Sequence, residues 1–257
     1  MDVGKIVSSS LKYPFRNITK LPILCLLFIL MAIVPIGWVL DNKYLLIIGF
    51  IAFFLFILIV PGYLFSMVKI GLNESALFPS LSFGKTIFNS IRVLILRMVY
   101  MIVPVCLFYI SLSTFSLSGI DMLRNLDLRS FFMTVGLLFM ISIIVYLIFE
   151  FLLFFAKARL AYLDSLTEAL KMHKVVSDIM TIGIFNIIKW IIFMIILVVV
   201  FSFISSWVVA IPYVGYLIYF CVVIPILESI GNYSLGLLYS NITRTNSDLV
   251  RFENRIY

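Results

Sequence analysis

The sequence predicts an all-α integral membrane protein: six transmembrane helices in three hairpins, with amphipathic interfacial helices on the cytoplasmic side. Three observations carry this expectation. Of the 257 residues, 64% are apolar and 12% charged, against roughly 45–50% and about 25% in an ordinary soluble domain. A soluble fold of this length has no interior large enough for the excess. The apolar residues fall in six continuous runs, each long enough for a hydrocarbon core that takes about 20 helical residues to cross. Polarity does not alternate within the runs, which requires helices rather than the strands of a barrel.

Taken in order, the chain opens on an interfacial helix over about residues 2–13. Val3, Ile6, Val7 and Leu11 recur there at helical spacing, with Lys5, Ser8, Ser9 and Lys12 elsewhere on the wheel and Pro14 ending the regular helix. The first span runs from Leu21 to Leu40 and the second from Tyr44 to Val68. Pro61-Gly62 lies inside the second span, where proline removes an intrahelical hydrogen bond. A hinge is expected at that point, with Tyr63 to Leu72 lying along the interface beyond it. A second interfacial helix, about 82–92, puts Phe83, Ile87 and Ile91 on one face and Lys85, Asn89 and Arg92 off it. The third and fourth spans follow as Val93 to Leu117 and Phe131 to Ala156. A third interfacial helix, about 163–180, opens on Ser165 and Glu168 at capping-box spacing. Trp190 to Ala210 and Val214 to Leu238 complete a single membrane domain over 1–240, leaving 241–257 as a short cytoplasmic tail. Each interfacial helix precedes an odd-numbered span, and Pro35, Pro104 and Pro212 lie late in those spans, although the spacing is uneven for a repeat.

Orientation follows from the 19 Lys and Arg residues, which give a net charge of +7. Four precede the first span (Lys5, Lys12, Arg16, Lys20) and four flank the second loop (Lys69, Lys85, Arg92, Arg97). Five follow the fourth span (Lys157, Arg159, Lys171, Lys174, Lys189) and three lie in the tail (Arg244, Arg251, Arg255). The opposite side has Lys43, Arg124 and Arg129 alone. Basic residues mark cytoplasmic loops, so both termini are expected in the cytoplasm of a multi-pass plasma-membrane protein. The positive charge thereby serves topology, not nucleic acid. Cys25, Cys106 and Cys221 sit singly inside apolar runs without a clustered histidine, so neither a metal site nor a cofactor is expected. About twenty mixed residues precede the first run, which argues for a retained span instead of a cleaved signal.

An ionisable residue within hydrocarbon costs about 2.5–3.5 kcal/mol on insertion scales, which makes each one a site candidate. Glu150 and Glu228 qualify. Arg97 is the expected partner of Glu150, with snorkelling to the interface as the competing role. Glu228, Asn232, Gly236 and Ser240 follow at steps of four and form a polar or small stripe. That stripe either lines a cytoplasm-open cavity or packs helices. Ser202, Ser206 and Ala210 form a further small-residue row expected to receive another helix. His173, the single histidine, is expected to be solvated. The sequence has no nucleophile elbow, phosphate-binding glycine loop or His-Glu-x-x-His, so no catalytic residues are assigned and an enzyme is not expected.

The stretch from Pro61 to Pro104 contains Pro61-Gly62-Tyr63-Leu64, Lys69, Gly71, Leu77-Phe78-Pro79, Phe83-Gly84-Lys85, Tyr100 and Pro104. It resembles the prokaryotic membrane family labelled domain of unknown function 4013, frequent in methanogenic archaea. The likeness extends more loosely through Lys157 to Asp178 and to Ile211-Pro212. Two features depart from the family pattern: only Lys69 follows closely on Pro-Gly-Tyr, and Asn89-Ser90 stands where an acidic-Gly pair is usual. The resemblance implies a polytopic membrane protein without an assigned reaction.

The expected function is a noncatalytic membrane scaffold, lipid-contacting organiser or complex subunit. Its expected partners are membrane lipids, anionic ones included, and a protein partner or second copy. The alternative is a transporter or channel component moving a small solute or lipid through a cytoplasm-open cavity. Topology can be tested by cysteine labelling from outside intact cells in a background lacking the native cysteines. Asn42→Cys and Asn125→Cys are expected to be modified and Glu168→Cys untouched; modification at 168 would overturn the orientation.

Overall fold

The computed structural model describes residues 2–116, 132–211 and 214–256, with side chains over 2–116, 133–211 and 214–242. Leu117, Arg124, Asn125, Arg129, Phe131, Pro212 and Tyr213, and the side chains of Arg244, Arg251 and Arg255, lie outside the described residues. Every regular element described is helical. The order is α1 (Val3–Arg16), α2 (Leu21–Val39), α3 (Lys43–Leu72), α4 (Phe83–Thr114), α5 (Leu137–Leu163), α6 (Leu166–Ala169), α7 (Met172–Ile182), α8 (Ile184–Val209), α9 (Val214–Ile218) and α10 (Ile224–Ile256). Wide π-type turns at Phe132–Gly136 and Tyr219–Val223 lead into α5 and α10. Six helical stretches are long and apolar enough to cross a membrane: Leu21–Val39, Lys43–Leu72, Phe83–Thr114, Met133–Leu163, Ile184–Val209 and Val214–Ile242.

Several helices are longer than the sequence reading allowed. The helix runs unbroken through Arg92 and Val93, so the segment at 82–92 is not a separate interfacial helix but the first turns of the 32-residue α4. At 1.5 Å per residue α4 is about 48 Å long, against a hydrocarbon core of about 30 Å. The 30-residue α3 behaves alike and passes straight through Pro61. Tyr63 to Leu72 therefore do not lie along the interface beyond a break, and one contact accounts for the continuity. Ser90 of α4 accepts the Gly62 N–H at 2.7 Å and donates to the Ile59 carbonyl at 3.3 Å, so polar backbone groups beside the proline stay satisfied and the helix continues. Tyr63, Phe65, Met67 and Val68, all 0% exposed, are central to the core.

The stretch 163–180 also differs, being divided in two. Asp164 adopts the left-handed conformation (φ 52°) and ends α5, after which α6 makes a single turn before α7. The Ser165–Glu168 capping box does not form: the Ser165 hydroxyl pairs with Thr167 at 3.0 Å, and Glu168 turns to lysines. Pro14 likewise does not stop α1, which runs on to Arg16. One missing hydrogen bond this close to a helix end costs only the last turn.

Burial is uneven along the bundle. One side carries α1, α6, α7 and the loop at 73–82, and is called here the capped side; the opposite, open side carries the turn between α2 and α3. The core concentrates on the capped side, with Tyr100, Phe155, Leu160, Leu235, Leu238 and Tyr239 at most 1% exposed. Toward the open side Trp38, Tyr44, Phe50, Tyr109, Phe203 and Trp207 point outward, where lipid would be their solvent. The most apolar part of the last membrane-crossing stretch is more buried than that of any of the other five, and α3 packs against α2, α4 and α10 together.

Glycines set the closest contacts. A Cβ on Gly236 of α10 would lie 2.3 Å from the Val68 carbonyl oxygen, one on Gly71 of α3 2.5 Å from that of Tyr233, and one on Gly62 2.0 Å from that of Thr86. Gly84, by contrast, has open space around it. Gly236→Val is expected to destabilise the protein by about 1–3 kcal/mol through overpacking. Gly84→Ala should leave the thermal unfolding midpoint in detergent unchanged or slightly raised. Equal midpoints for wild type and Gly236→Val would show that α3 and α10 are not held this closely.

Candidate functional site

Polar chemistry is arranged in two tiers, one within the long helices and one on the capped side. In the first, Arg97 of α4 donates to Glu150 of α5 at 3.0 Å, and the Tyr146 hydroxyl, one turn away, donates to the same oxygen at 3.0 Å. Glu228 of α10 forms a second group. Asn232 donates to its carboxylate at 3.0 Å and to its backbone carbonyl at 2.8 Å, and the Asn232 amide oxygen accepts from Lys157 of α5 at 2.5 Å. Lys157 and Glu228, opposite in charge, are thus bridged by a neutral amide. The two acids share no hydrogen-bond partner. Below them the indole N–H of Trp190 donates to Ser234 at 3.1 Å, tying α8 to α10.

The second tier was not read from the sequence. Arg159, 8% exposed, ion-pairs with Asp178 of α7, donates to the Glu168 backbone carbonyl at 3.1 Å and lies 3.6 Å from its carboxylate. The Tyr239 hydroxyl donates to the same Asp178 oxygen, and Tyr100 donates to the Ala169 carbonyl at 3.0 Å. Beside this cluster Asp164 accepts from Lys69 and Arg92, each at 2.7 Å, and Arg92 also reaches the Asp164 carbonyl. The Lys69 ammonium and then the Arg92 guanidinium hold the Asp164 carboxyl below its usual range. Hydrogen bonds from Lys171 and Lys174 bring that of Glu168 down to about 2. Three helices therefore meet at Asp164 and three elements at Arg159. In the sequence these residues looked like ordinary loop charges; the available signal was the Lys157-x-Arg159 pair directly after an apolar run.

α1 completes the capped side. Tyr13 lies between Phe78, ring centroids 4.7 Å apart, and Tyr233, at 3.9 Å, both stacked. Burial, and then the neighbouring Tyr63 and Tyr233, raise the Tyr13 hydroxyl above its ordinary pKa. Asn17 donates to the Ala76 carbonyl at 2.7 Å and accepts from the Phe78 N–H at 3.2 Å, clasping the 73–82 loop.

The remaining candidates divide. Gly236 packs on α3, and Pro61-Gly62 meets α4, as described above. Among the described residues no helix covers Ser202, Ser206 and Ala210: all three are exposed, and the Ser206 hydroxyl donates back to the Phe203 carbonyl at 2.7 Å. The inward face of α8 instead carries Ile187, Trp190, Leu197 and Ser205. A helix apolar all round gives no polarity with which to choose between these faces. His173 is exposed. Among the described residues no group of three or more His, Cys, Asp or Glu is placed to hold a metal ion. A cavity of about 320 Å³ opens between α5 and α8, lined by apolar side chains including Phe154, Trp190, Met194 and Ile195. Neither Glu150 nor Glu228 lines it.

A family model described as protein of unknown function (DUF4013) matches residues 45–211. No curated protein and no solved structure matches the chain.

The Arg159 cluster makes a stability prediction. Removing one partner of a buried ion pair strands the other charge and costs about 3–5 kcal/mol. Arg159→Gln is therefore expected to lower the unfolding midpoint in detergent markedly, and Lys171→Gln, at an exposed pair, hardly at all. Equal small effects would show that Asp178 is solvated.

Proposed function

The chain belongs to the DUF4013 family, and from that premise we propose that it is a noncatalytic scaffold of the plasma membrane. It has six spans in three hairpins, both termini cytoplasmic, and a capped side that meets lipid headgroups and a protein partner or second copy. The observation that carries this reading is the pairing of the ionisable groups within the long helices. Glu150 is held by Arg97 and Tyr146, and Glu228 and Lys157 by Asn232. Charges satisfied by protein groups favour a packed bundle, whereas carboxylates lining an aqueous path would favour transport.

The capped side supports the lipid-contacting part. α1 buries Val3, Ile6 and Tyr13, and with the turn that follows it leaves Leu11, Phe15 and Ile18 exposed beside Lys12, Arg16 and Lys20. An apolar strip flanked by cations suits the boundary between acyl chains and anionic headgroups, where each basic residue contributes roughly 1 kcal/mol. The basic bias of the same side fits a cytoplasmic placement.

Cysteine accessibility separates scaffold from transporter. In a background lacking Cys25, Cys106 and Cys221, Glu228→Cys is expected to resist a hydrophilic maleimide applied from either side of the membrane, while Glu168→Cys reacts readily. Rapid modification at position 228 would replace the scaffold reading with a water-accessible pathway. Copurification followed by lipid and protein mass spectrometry then identifies what the scaffold holds.

A further inference from the structure

We propose that the Arg97–Glu150 pair binds the head of a zwitterionic phospholipid with a primary ammonium, Arg97 holding its phosphate and Glu150 its ammonium. The capped-side leaflet is thereby drawn inward at α4 and α5. The proposal rests on the scaffold reading for its lipid contact, and deepens it by naming the headgroup.

Depth sets the pair apart. The turn at Asp41 and Asn42 puts Lys43, the first residue of α3, at the open-side boundary. A hydrocarbon core of about 30 Å is crossed in about 20 residues, near Tyr63. The Gly62 N–H is bonded to Ser90 at 2.7 Å, so Ser90 marks the capped-side boundary on α4. Arg97 lies seven residues further in, about 10 Å below that boundary. Its partner Glu150 is fourteen residues from Asp164, which ends α5, or about 21 Å. A charge at such depth is costly unless it is covered. The Arg97 side chain is nevertheless 59% exposed, and Tyr146 is exposed beside it. The chain holds this pair without covering it.

The unbonded groups select the head. Arg97 donates through Nη2 alone, and Arg97 and Tyr146 both reach the same carboxylate oxygen, Oε1. Among the described residues the remaining guanidinium N–H groups and Oε2 have no hydrogen-bond partner. A phosphate accepts from the former, and an ammonium donates to the latter. The pair is neutral, so a head carrying both charges keeps it neutral, whereas an anionic head adds an uncompensated charge within hydrocarbon. A choline head has the positive charge but no N–H to donate.

The surface on the open side of the pair suits the chain. Phe108 follows Arg97 by eleven residues, and Ile143 and Phe139 precede Glu150 by seven and eleven, each within about 20° of the same helix face. All three are exposed, and the rings of Phe108 and Phe139 lie 5.3 Å apart. They form an apolar strip about 16 Å long. A chain drawn in by its head passes mid-membrane along that strip.

The full-length protein is reconstituted with equal mole fractions of phosphatidylethanolamine, phosphatidylcholine and phosphatidylglycerol of identical chains. It is then extracted into mild detergent and weighed intact with its retained lipid by native mass spectrometry. Phosphatidylethanolamine is expected to be retained about tenfold over each of the others, the effect of one charge-assisted hydrogen bond. Glu150→Gln should shift the preference to phosphatidylglycerol, because the remaining cation selects an anion. Arg97→Gln should lower retention of phosphatidylethanolamine about tenfold, while Arg97→Lys and Lys85→Gln keep the preference. Excess phosphoethanolamine, the same head without chains, should displace nothing. Equal retention of the three lipids by the wild-type protein, or a preference for phosphatidylglycerol, overturns the site without any variant and leaves water or a second copy to cover the pair. Displacement by phosphoethanolamine overturns it as a lipid site. None of these results touches Glu228→Cys accessibility, on which the scaffold reading is judged separately.

Discussion

Hydrocarbon offers six apolar helices no hydrophobic reason to associate, because lipid tails solvate leucine as well as another helix does. A bundle of this composition has to be fastened by something else, and in this protein the fastening is concentrated at one end. α3 and α4 are about 45 and 48 Å long, so they project well beyond a core of about 30 Å. Their capped-side portions make the dense contacts: Tyr63, Phe65 and, deeper in, Tyr100 in the core, Lys69 and Arg92 on Asp164, Gly71 against Gly236. Toward the open side, where water cannot help, the helices mostly face outward. The protein resembles a small globular core from which six apolar rods extend.

This division explains what could be read from the chain. The spans were legible because composition alone decides whether a segment belongs in lipid, and that criterion does not depend on the neighbours. The partnership of Arg97 with Glu150 was open to inference because charges in hydrocarbon are few and each needs another. Helix rotation was not legible in the second half of α8, where Ser205 and Ser206 differ by about 100° and, Ser202 apart, every other side chain from Trp190 onward is apolar. Nor was the course of α3 past Pro61, since the hydroxyl that keeps the backbone satisfied belongs to Ser90, 28 residues on. The turn at Asp164 depends on two cations from other helices, and its left-handed backbone leaves no mark on the sequence that glycine would have left.

The two polar tiers have different consequences. Groups such as Lys157, Asn232 and Glu228 join α5 to α10 at a depth where any unpaired charge is expensive, so they specify which helices adjoin. The Arg159 cluster joins α5, α6, α7 and α10 at the edge of the core, where it orients the short helices that close the capped side. Together they turn a surface that would otherwise be a set of loose loops into a platform of fixed shape. A fixed platform is what a scaffold needs and what a solute pathway does not require.

The stacking of Tyr13 between Phe78 and Tyr233 bears on biosynthesis. A ribosome makes Tyr13 some 220 residues before Tyr233, which at about 5–20 residues per second is an interval of roughly 10–45 s. Throughout that time α1 is present without the helix that finally covers it, its buried and its exposed apolar faces both uncovered. Docking of α1 is therefore completed only when the helix carrying Tyr233 has been made, so the earliest of these helices to be synthesised is among the last to be seated.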